Sequence, residues 1–274
     1  MTLDKNKCCF ILSDKSSGSS ALHRAILNHP EAQCIRWTRH NENETLFWNK
    51  AAALLEQPQV DVEYSELPFS REQAEHELVE FVANNLPDYQ RPPDNREFLF
   101  TAWESLSRAF GPVFVDKTPH HLQYASSLRL MDEWDQQSSC ESRYIGLVRN
   151  PQAVLYSSFR RWNADPKRAQ WAWYRAYKNL LDFRDTVGNK ILIISYESIC
   201  QCKDEFDSTF LHLGIEATVD ESKSFHSGSL ERWRTDSRSW HFELDEEVSK
   251  LAQQFGYSEE DLIPKKSRRR IFQW

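Results

Sequence analysis

The chain has 274 residues, 40% hydrophobic and 27% charged, with a formal net charge of −7 at pH 7. That composition belongs to a globular protein with a sizeable core and excludes a disordered chain. The acidic balance excludes a general nucleic-acid binder, which must neutralise phosphates, but not a small anion held by local positive charge.

No apolar run reaches the roughly 18–20 residues of a membrane span. The short run "KCCFILS" has no cleavage-like segment after it, so no integral membrane segment and a cytoplasmic location are expected. The six cysteines show no CxxC or metal-ligand spacing, and reduced thiols are the expectation.

In chain order, the first strand is expected at residues 8–12, followed by the polar turn "SDKSSGSS" and a helix over 20–27. A helical insert follows at about 35–111, with helices over 45–55, 71–84 and 97–110. The second of these opens on "SREQ", a capping-box pattern of Ser70 and Gln73. The loop "PDYQRPPDNR" separates the later two.

A second strand is expected at 113–115 with a helix over 121–134, and a third at 144–148 with a helix over 151–161 that starts on Pro151. Then come an amphipathic helix over 169–184 and the strand "KILIIS" at 190–195. Trp171, Trp173, Tyr174, Tyr177 and Phe183 recur at helical spacing, which reads mainly as core.

The strand runs are short and unalternating, as in a parallel sheet covered on both faces. Strands alternating with helices predict an α/β fold with a central parallel sheet flanked by helices, in one domain over residues 1–274. The basic tail "KKSRRR" at 265–270 reads as a solvated end or as a contribution to holding an anion.

Two stretches carry the chemistry. In "CCFILSDKSSGSSALHRAILNHP" a strand feeds a small-residue turn that opens a helix, which aims backbone N–H groups and the positive end of the helix dipole at one spot. Gly18 would supply an unusual backbone angle, and Ser16, Ser17, Ser19 and Ser20 hydroxyl donors. The nucleotide triphosphatase pattern G-x-x-x-x-G-K-[ST] is absent, because Ser19 rather than Lys follows Gly18 and the basic residue, Lys15, precedes it.

In "YIGLVRNPQAVLYSSFRRW", Arg149 ends a strand and Ser157 and Arg161 lie four apart on the helix that follows. Arginine as a planar multidentate donor makes this a second oxyanion site.

Together these stretches resemble the sulfotransferases that use 3′-phosphoadenosine 5′-phosphosulfate, closest in pattern to the tyrosylprotein and glycan branch. The resemblance implies a P-loop NTPase-like fold and that donor, with the first turn on the 5′-phosphosulfate. It implies that Arg149 and Ser157, in R-[DN]-P-x₅-S, hold the 3′-phosphate, with Arg161 as a further basic position. "VDKTPHH" resembles the family's K-[ST]-P element, which implies Lys117 and Thr118 beside the sulfuryl group. "IISYES" and "SGSLERW" resemble segments that imply Tyr196 against adenine and Ser229, Leu230, Arg232 and Trp233 over the nucleotide.

One departure is Ser16, which stands where family members usually carry a basic residue, with Lys15 one position upstream. Lys117, Lys15 and the turn amides are the candidates for stabilising the leaving group, and no metal is implied. The general base is expected in "TRHNENETLFW": Glu44 first, on an E-x-x-F-[FW] shape similar to the family's, then Glu42 and His40. His120 and His121 either line the acceptor site or start a helix. The acceptor is expected to be a small molecule, glycan or glycolipid. A P-loop small-molecule kinase and a nucleotide-binding, non-catalytic homologue stay open as alternatives.

Overall fold

The first strand, β1 (Lys7–Ser13), is apolar on both faces, and the sheet is built around it. Cys8, Phe10 and Leu12 point into one core while Cys9 and Ile11 point into another, as a period of two requires. In this computed structural model, residues 6–217, 225, 228, 230–236 and 240–264 are described. Ser229 and the basic tail at 265–270 lie outside them.

The other strands are β2 (Ala32–Gln33), β3 (Val113–Lys117), β4 (Glu141–Val148) and β5 (Ile191–Ser195). They form a five-stranded sheet in the order β2-β3-β1-β4-β5, with every pairing parallel. The expected central parallel sheet is therefore present. β2 was not foreseen, since two residues are too short to show a period.

Helices cover both faces. On one side lie α1 (Ser19–Leu27), α8 (Tyr196–Gln201) and α9 (Lys203–Leu213), which bury Leu22, Ile199 and Phe206 against Cys9 and Ile11. On the other lie α2 (Phe47–Leu54), α3 (Arg71–Asn85), α4 (Asn95–Ala109), α5 (Ala125–Gln137), α6 (Pro151–Trp162) and α7 (Pro166–Val187). There Trp48, Leu78, Trp103, Met131 and Trp173 bury themselves with Phe10 and Tyr144. The short α10 (Arg232–Thr235), α11 (Glu246–Gln254) and α12 (Glu259–Leu262) complete the described residues. No helix among them is long and apolar enough to cross a membrane.

Local signals explain the boundaries. Asn150 caps α6 by accepting from the Gln152 amide at 2.9 Å, and Pro151 needs no acceptor in the first turn. Ser70 caps α3 by accepting from the Gln73 amide at 3.1 Å. The Gln73 side chain, however, donates to Glu77 at 3.0 Å rather than completing the reciprocal bond. The helix expected over 121–134 is broken: Pro119–Gln123 is a 3-10 turn, and extended Tyr124 precedes α5.

Parallel strands place all carboxyl ends at one edge. Register pairs Ile11 with Lys117, Ser13 with Leu147 and Val148 with Ser195, so the residues that follow β1, β3, β4 and β5 converge on one crevice.

The insert α2–α4 is fastened to the sheet by aromatics. Trp103 stacks on Phe10 with centroids 5.7 Å apart and meets Phe47 at 4.6 Å and Phe114 at 5.3 Å. Removing a fully buried indole costs its transfer free energy plus the cavity left behind, so Trp103→Ala should destabilise the protein by about 3–5 kcal/mol. Equilibrium urea unfolding checks this, and a loss under 1 kcal/mol would mean that the insert is not anchored there.

Candidate active site

The turn after β1 is held in an unusual backbone path. Gly18 has φ 92 and ψ 10, and Ser16 has φ 62, both in the left-handed region. A Cβ on Gly18 would lie 2.4 Å from Cδ2 and Cε2 of Tyr196, so only glycine fits. Alternating handedness of this kind curls backbone amides into a concave nest. The amides of Ser19 and Ser20, in the first turn of α1, have no intrahelical acceptor and extend that nest.

Ser17 departs from its expected role as a ligand-binding hydroxyl. Its amide donates to the Asp14 carbonyl at 3.3 Å, and its hydroxyl lies 2.9 Å from that of Tyr177, in the core. The Tyr177 hydroxyl also donates to the Leu147 carbonyl at 3.0 Å and receives the Asp14 amide at 3.4 Å. Tyr177 thereby ties the turn to the end of β4. Sequence reasoning filed it with the core aromatics.

Arg149 leaves the end of β4, is buried, and donates from Nη1 to the Ser16 carbonyl at 2.9 Å. Its guanidinium lies 4.6 Å from the centroid of the Tyr196 ring. The ring therefore contacts both Gly18 and Arg149. The neighbouring Asn150 amide donates to Glu197 Oε1 at 3.1 Å, and Glu197 Oε2 receives the Tyr257 hydroxyl at 2.7 Å. Burial raises the Glu197 pKa, against the hydrogen bond from Tyr257. Ser157 is half-buried on α6, whereas Arg161 is exposed with its guanidinium 5.6 Å from the Trp162 ring. Ser158, which the sequence did not single out, places its hydroxyl 3.5 Å from that of Ser16.

At the end of β3, fully buried Lys117 donates to Glu44 Oε1 at 3.1 Å. His120 Nδ1 lies 3.6 Å from Glu44 Oε2. Thr118 aligns this pair: its hydroxyl oxygen accepts the amides of Thr45 at 3.1 Å and Leu46 at 3.3 Å. Thr45 in turn donates its hydroxyl to Asp116 Oδ1 at 2.9 Å. Burial pushes Asp116 up to about 7, against the bond from Thr45. His121 is wholly buried, 3.5 Å from Asp116 Oδ2, and burial drives its pKa well down. It faces the core, so of the two histidines only His120 adjoins Glu44.

The other expected residues lie apart from the Glu44–Lys117 pair. Glu42 is exposed and pairs with Arg24 at 3.2 Å. His40 belongs to a separate cluster, with Nε2 2.7 Å from Lys50 Nζ and Nδ1 3.2 Å from Glu66. His40, Glu66 and Glu77 have metal-like spacing, but the Lys50 ammonium, 3.1 Å from Glu77, already supplies the cation there. Lys15 reaches away from the turn to the carbonyls of Tyr64 at 2.7 Å and Glu63 at 3.2 Å. Leu230 packs in the core around Tyr196 and Trp233 in a cluster with Leu155, while Arg232 is exposed and donates to the Gly228 carbonyl at 3.2 Å.

Burial raises the Glu44 pKa, but the His120 imidazole and the Lys117 charge outweigh it, leaving the net value below the ordinary 4.5. A depressed carboxylate stabilises the fold above its ordinary value, and that contribution fades as pH falls through the lowered one. Lys117→Met keeps the burial and removes the charge, so the Glu44 midpoint should move up. A carboxyl carbon-13 titration reads this directly, and an unmoved midpoint would show that Lys117 does not govern Glu44.

Comparison with known proteins gives the family and the fold. A family model described as the sulfotransferase family matches residues 9–216. The fold is similar to the sulfotransferase domain of the curacin biosynthetic pathway, with a TM-score of 0.61, 17% identity, and coverage of 92% of this chain and 98% of that one. It is similar to the sulfotransferase domain of the Synechococcus PCC 7002 olefin synthase, with a TM-score of 0.62, 19% identity, and coverage of 93% and 96%. A sulfotransferase from Alicyclobacillus acidocaldarius follows at 0.51 and 13% identity, with 90% of each chain covered. No curated protein matches the sequence. With its family model spanning most of the chain and its parallel five-stranded sheet shared with these domains, the protein belongs to the sulfotransferase family.

Proposed function

We propose that the protein transfers a sulfuryl group from 3′-phosphoadenosine 5′-phosphosulfate to an acceptor hydroxyl. The observation that carries this reading is the contact of Arg149 with the first turn, 2.9 Å from the Ser16 carbonyl. It brings the two oxyanion sites into one crevice, as a ligand with phosphate at both ends requires. The amide nest around Gly18, Ser19 and Ser20 suits the 5′ end, and Arg149 with Ser157 suits the 3′-phosphate. Tyr196 supplies a ring at the same edge, and exposed Arg161 on α6 is the proposed further cation. The donor supplies an electrophilic sulfur with an adenosine phosphate as leaving group.

Glu44 is the proposed base. It takes the acceptor proton as the new bond from oxygen to sulfur forms and the bridging sulfur–oxygen bond breaks. The products are a sulfate ester and adenosine 3′,5′-bisphosphate. Lys117, the buried cation next to Glu44, is the proposed partner of the bridging oxygen as charge develops there. Moving that ammonium from Glu44 to the leaving oxygen would leave only His120 against burial, so the carboxyl pKa would rise and Glu44 would become a stronger base when it is needed. Lys15, tied to the Glu63 and Tyr64 carbonyls, is less suited to this task than the sequence implied. These roles need the crevice whole, so residues 1–274 are proposed to act as one domain.

Isothermal titration with adenosine 3′,5′-bisphosphate tests the donor site. Arg149→Ala should weaken binding at least about a hundredfold, since a charge-assisted pair is removed at a buried position. Glu44→Gln should retain binding yet lower kcat by about 10²–10⁴-fold. Unchanged nucleotide affinity in Arg149→Ala would overturn the donor site, and full turnover in Glu44→Gln would overturn the base.

A further inference from the structure

A cavity of about 220 Å³ opens beside the first turn, between the chain at residues 61–64 and helices α6 and α7. It lies on a different face of α6 from the oxyanion residues. Val154, Ser158 and Trp162, each four apart, line it, whereas Ser157 and Arg161 lie one position round the helix. A larger hollow of about 750 Å³, around α11 and α12, includes no residue of the turn or of the strand ends.

Its walls have an unusual exposure. Tyr64, Trp162 and Trp171 are 57%, 39% and 40% exposed, and all three border this one cavity. Grouped exposed aromatics around a concavity mark a binding surface rather than incomplete packing. Most polar side chains of the wall are already engaged with one another or with the backbone, the Asp61 carboxylate and the Tyr64 hydroxyl excepted. Arg168 pairs with Glu63 at 2.6 Å, Arg175 donates to Gln123 Oε1 at 2.9 Å, and Gln123 donates to Asp14 Oδ1 at 3.0 Å. Lys15 holds two backbone carbonyls and lies 5.8 Å from the Trp162 centroid. What is left to meet a ligand is mostly aromatic and aliphatic surface.

The cavity wall is joined through one short turn to the residues around the proposed base. Gln123, in its wall, ends the 3-10 turn that carries His120, and His120 Nδ1 lies 3.6 Å from Glu44 Oε2. Burial lowers the pKa of Lys15, another wall residue, with the charge of Asp14 and then that of Glu44 opposing the fall.

We propose that this cavity is the acceptor subsite and that it takes a planar aryl alcohol of one or two rings, stacked against Trp162 and Trp171. The inference rests on the sulfuryl-transfer reading for what happens to the hydroxyl, but the recognition itself does not. A sugar of similar volume would need several directed hydrogen bonds, and apart from Asp61 and the Tyr64 hydroxyl the polar side chains of the wall are engaged elsewhere. The chemistry favoured is therefore an apolar ring with one reacting hydroxyl, in place of the glycan class.

Isothermal titration with 2-naphthol, methyl β-glucoside and adenosine 3′,5′-bisphosphate on the intact chain tests this. Wild type should bind 2-naphthol and not the glucoside. Trp171→Ala, which removes a stacking face, and Ala172→Phe, which fills the cavity, should each weaken 2-naphthol at least about tenfold while leaving the nucleotide affinity within about twofold. Thermal unfolding of both variants controls for folding. Equal 2-naphthol affinity in both folded variants, no 2-naphthol binding by wild type, or preference for the glucoside would overturn the assignment. Aryl binding that responds to both substitutions in a protein that binds no nucleotide would sustain the cavity assignment and remove the sulfuryl-transfer reading instead.

Discussion

Tyr196 can press on the first turn only because residue 18 lacks a side chain. That single steric allowance joins three strand ends. Gly18 follows β1, Tyr196 follows β5, and Arg149, whose guanidinium lies against the same ring, follows β4. Any side chain at 18 would meet both a left-handed backbone and an aromatic ring, and a shift of that ring would disturb its contact with Arg149. The hydroxyl of Tyr177 reinforces the lock from inside the core, where it holds the Asp14 amide, the Ser17 hydroxyl and the Leu147 carbonyl. A shallow amide nest is thus rigid before any anion arrives, which is the condition for an oriented backbone to act as fixed positive potential.

The helical insert brings the acidic group that pairs with Lys117 in the crevice. Glu44 sits just before α2, and two amides of that segment are held by the Thr118 hydroxyl. Aromatic packing of Trp103 on Phe10 fixes the block as a whole, while Thr118 sets the position of the carboxylate against Lys117. Coarse placement by apolar area and fine placement by directed hydrogen bonds divide the task, since burial is not directional and hydrogen bonds are.

The parts of the architecture that follow from local pattern were legible in the sequence. Unalternating apolar runs such as "CCFIL" and "YIGLV" gave the parallel strands, and Asn150-Pro151 gave the start of α6 within a residue. Lys117, Glu44 and Arg149 were also picked out, and the fold brings Glu44 onto Lys117 and Arg149 onto the turn. What stayed hidden depends on partners distant in sequence. Lys15 precedes the glycine and looks like an anion ligand, yet its acceptors are carbonyls 48 and 49 residues away. Ser17 resembles its serine neighbours until Tyr177 claims its hydroxyl. His40 lies close to Glu44 in the chain, but the buried Lys50–Glu77 pair holds it elsewhere.

Helix α6 works as a partition. One flank carries Ser157 and Arg161, and the adjoining flank carries Val154, Ser158 and Trp162. The flanks are not fully separate, since the Arg161 guanidinium lies 5.6 Å from the Trp162 ring. A lineage that exchanged Val154 could thus acquire a new clientele with less disturbance of the arginine flank than one that exchanged Trp162.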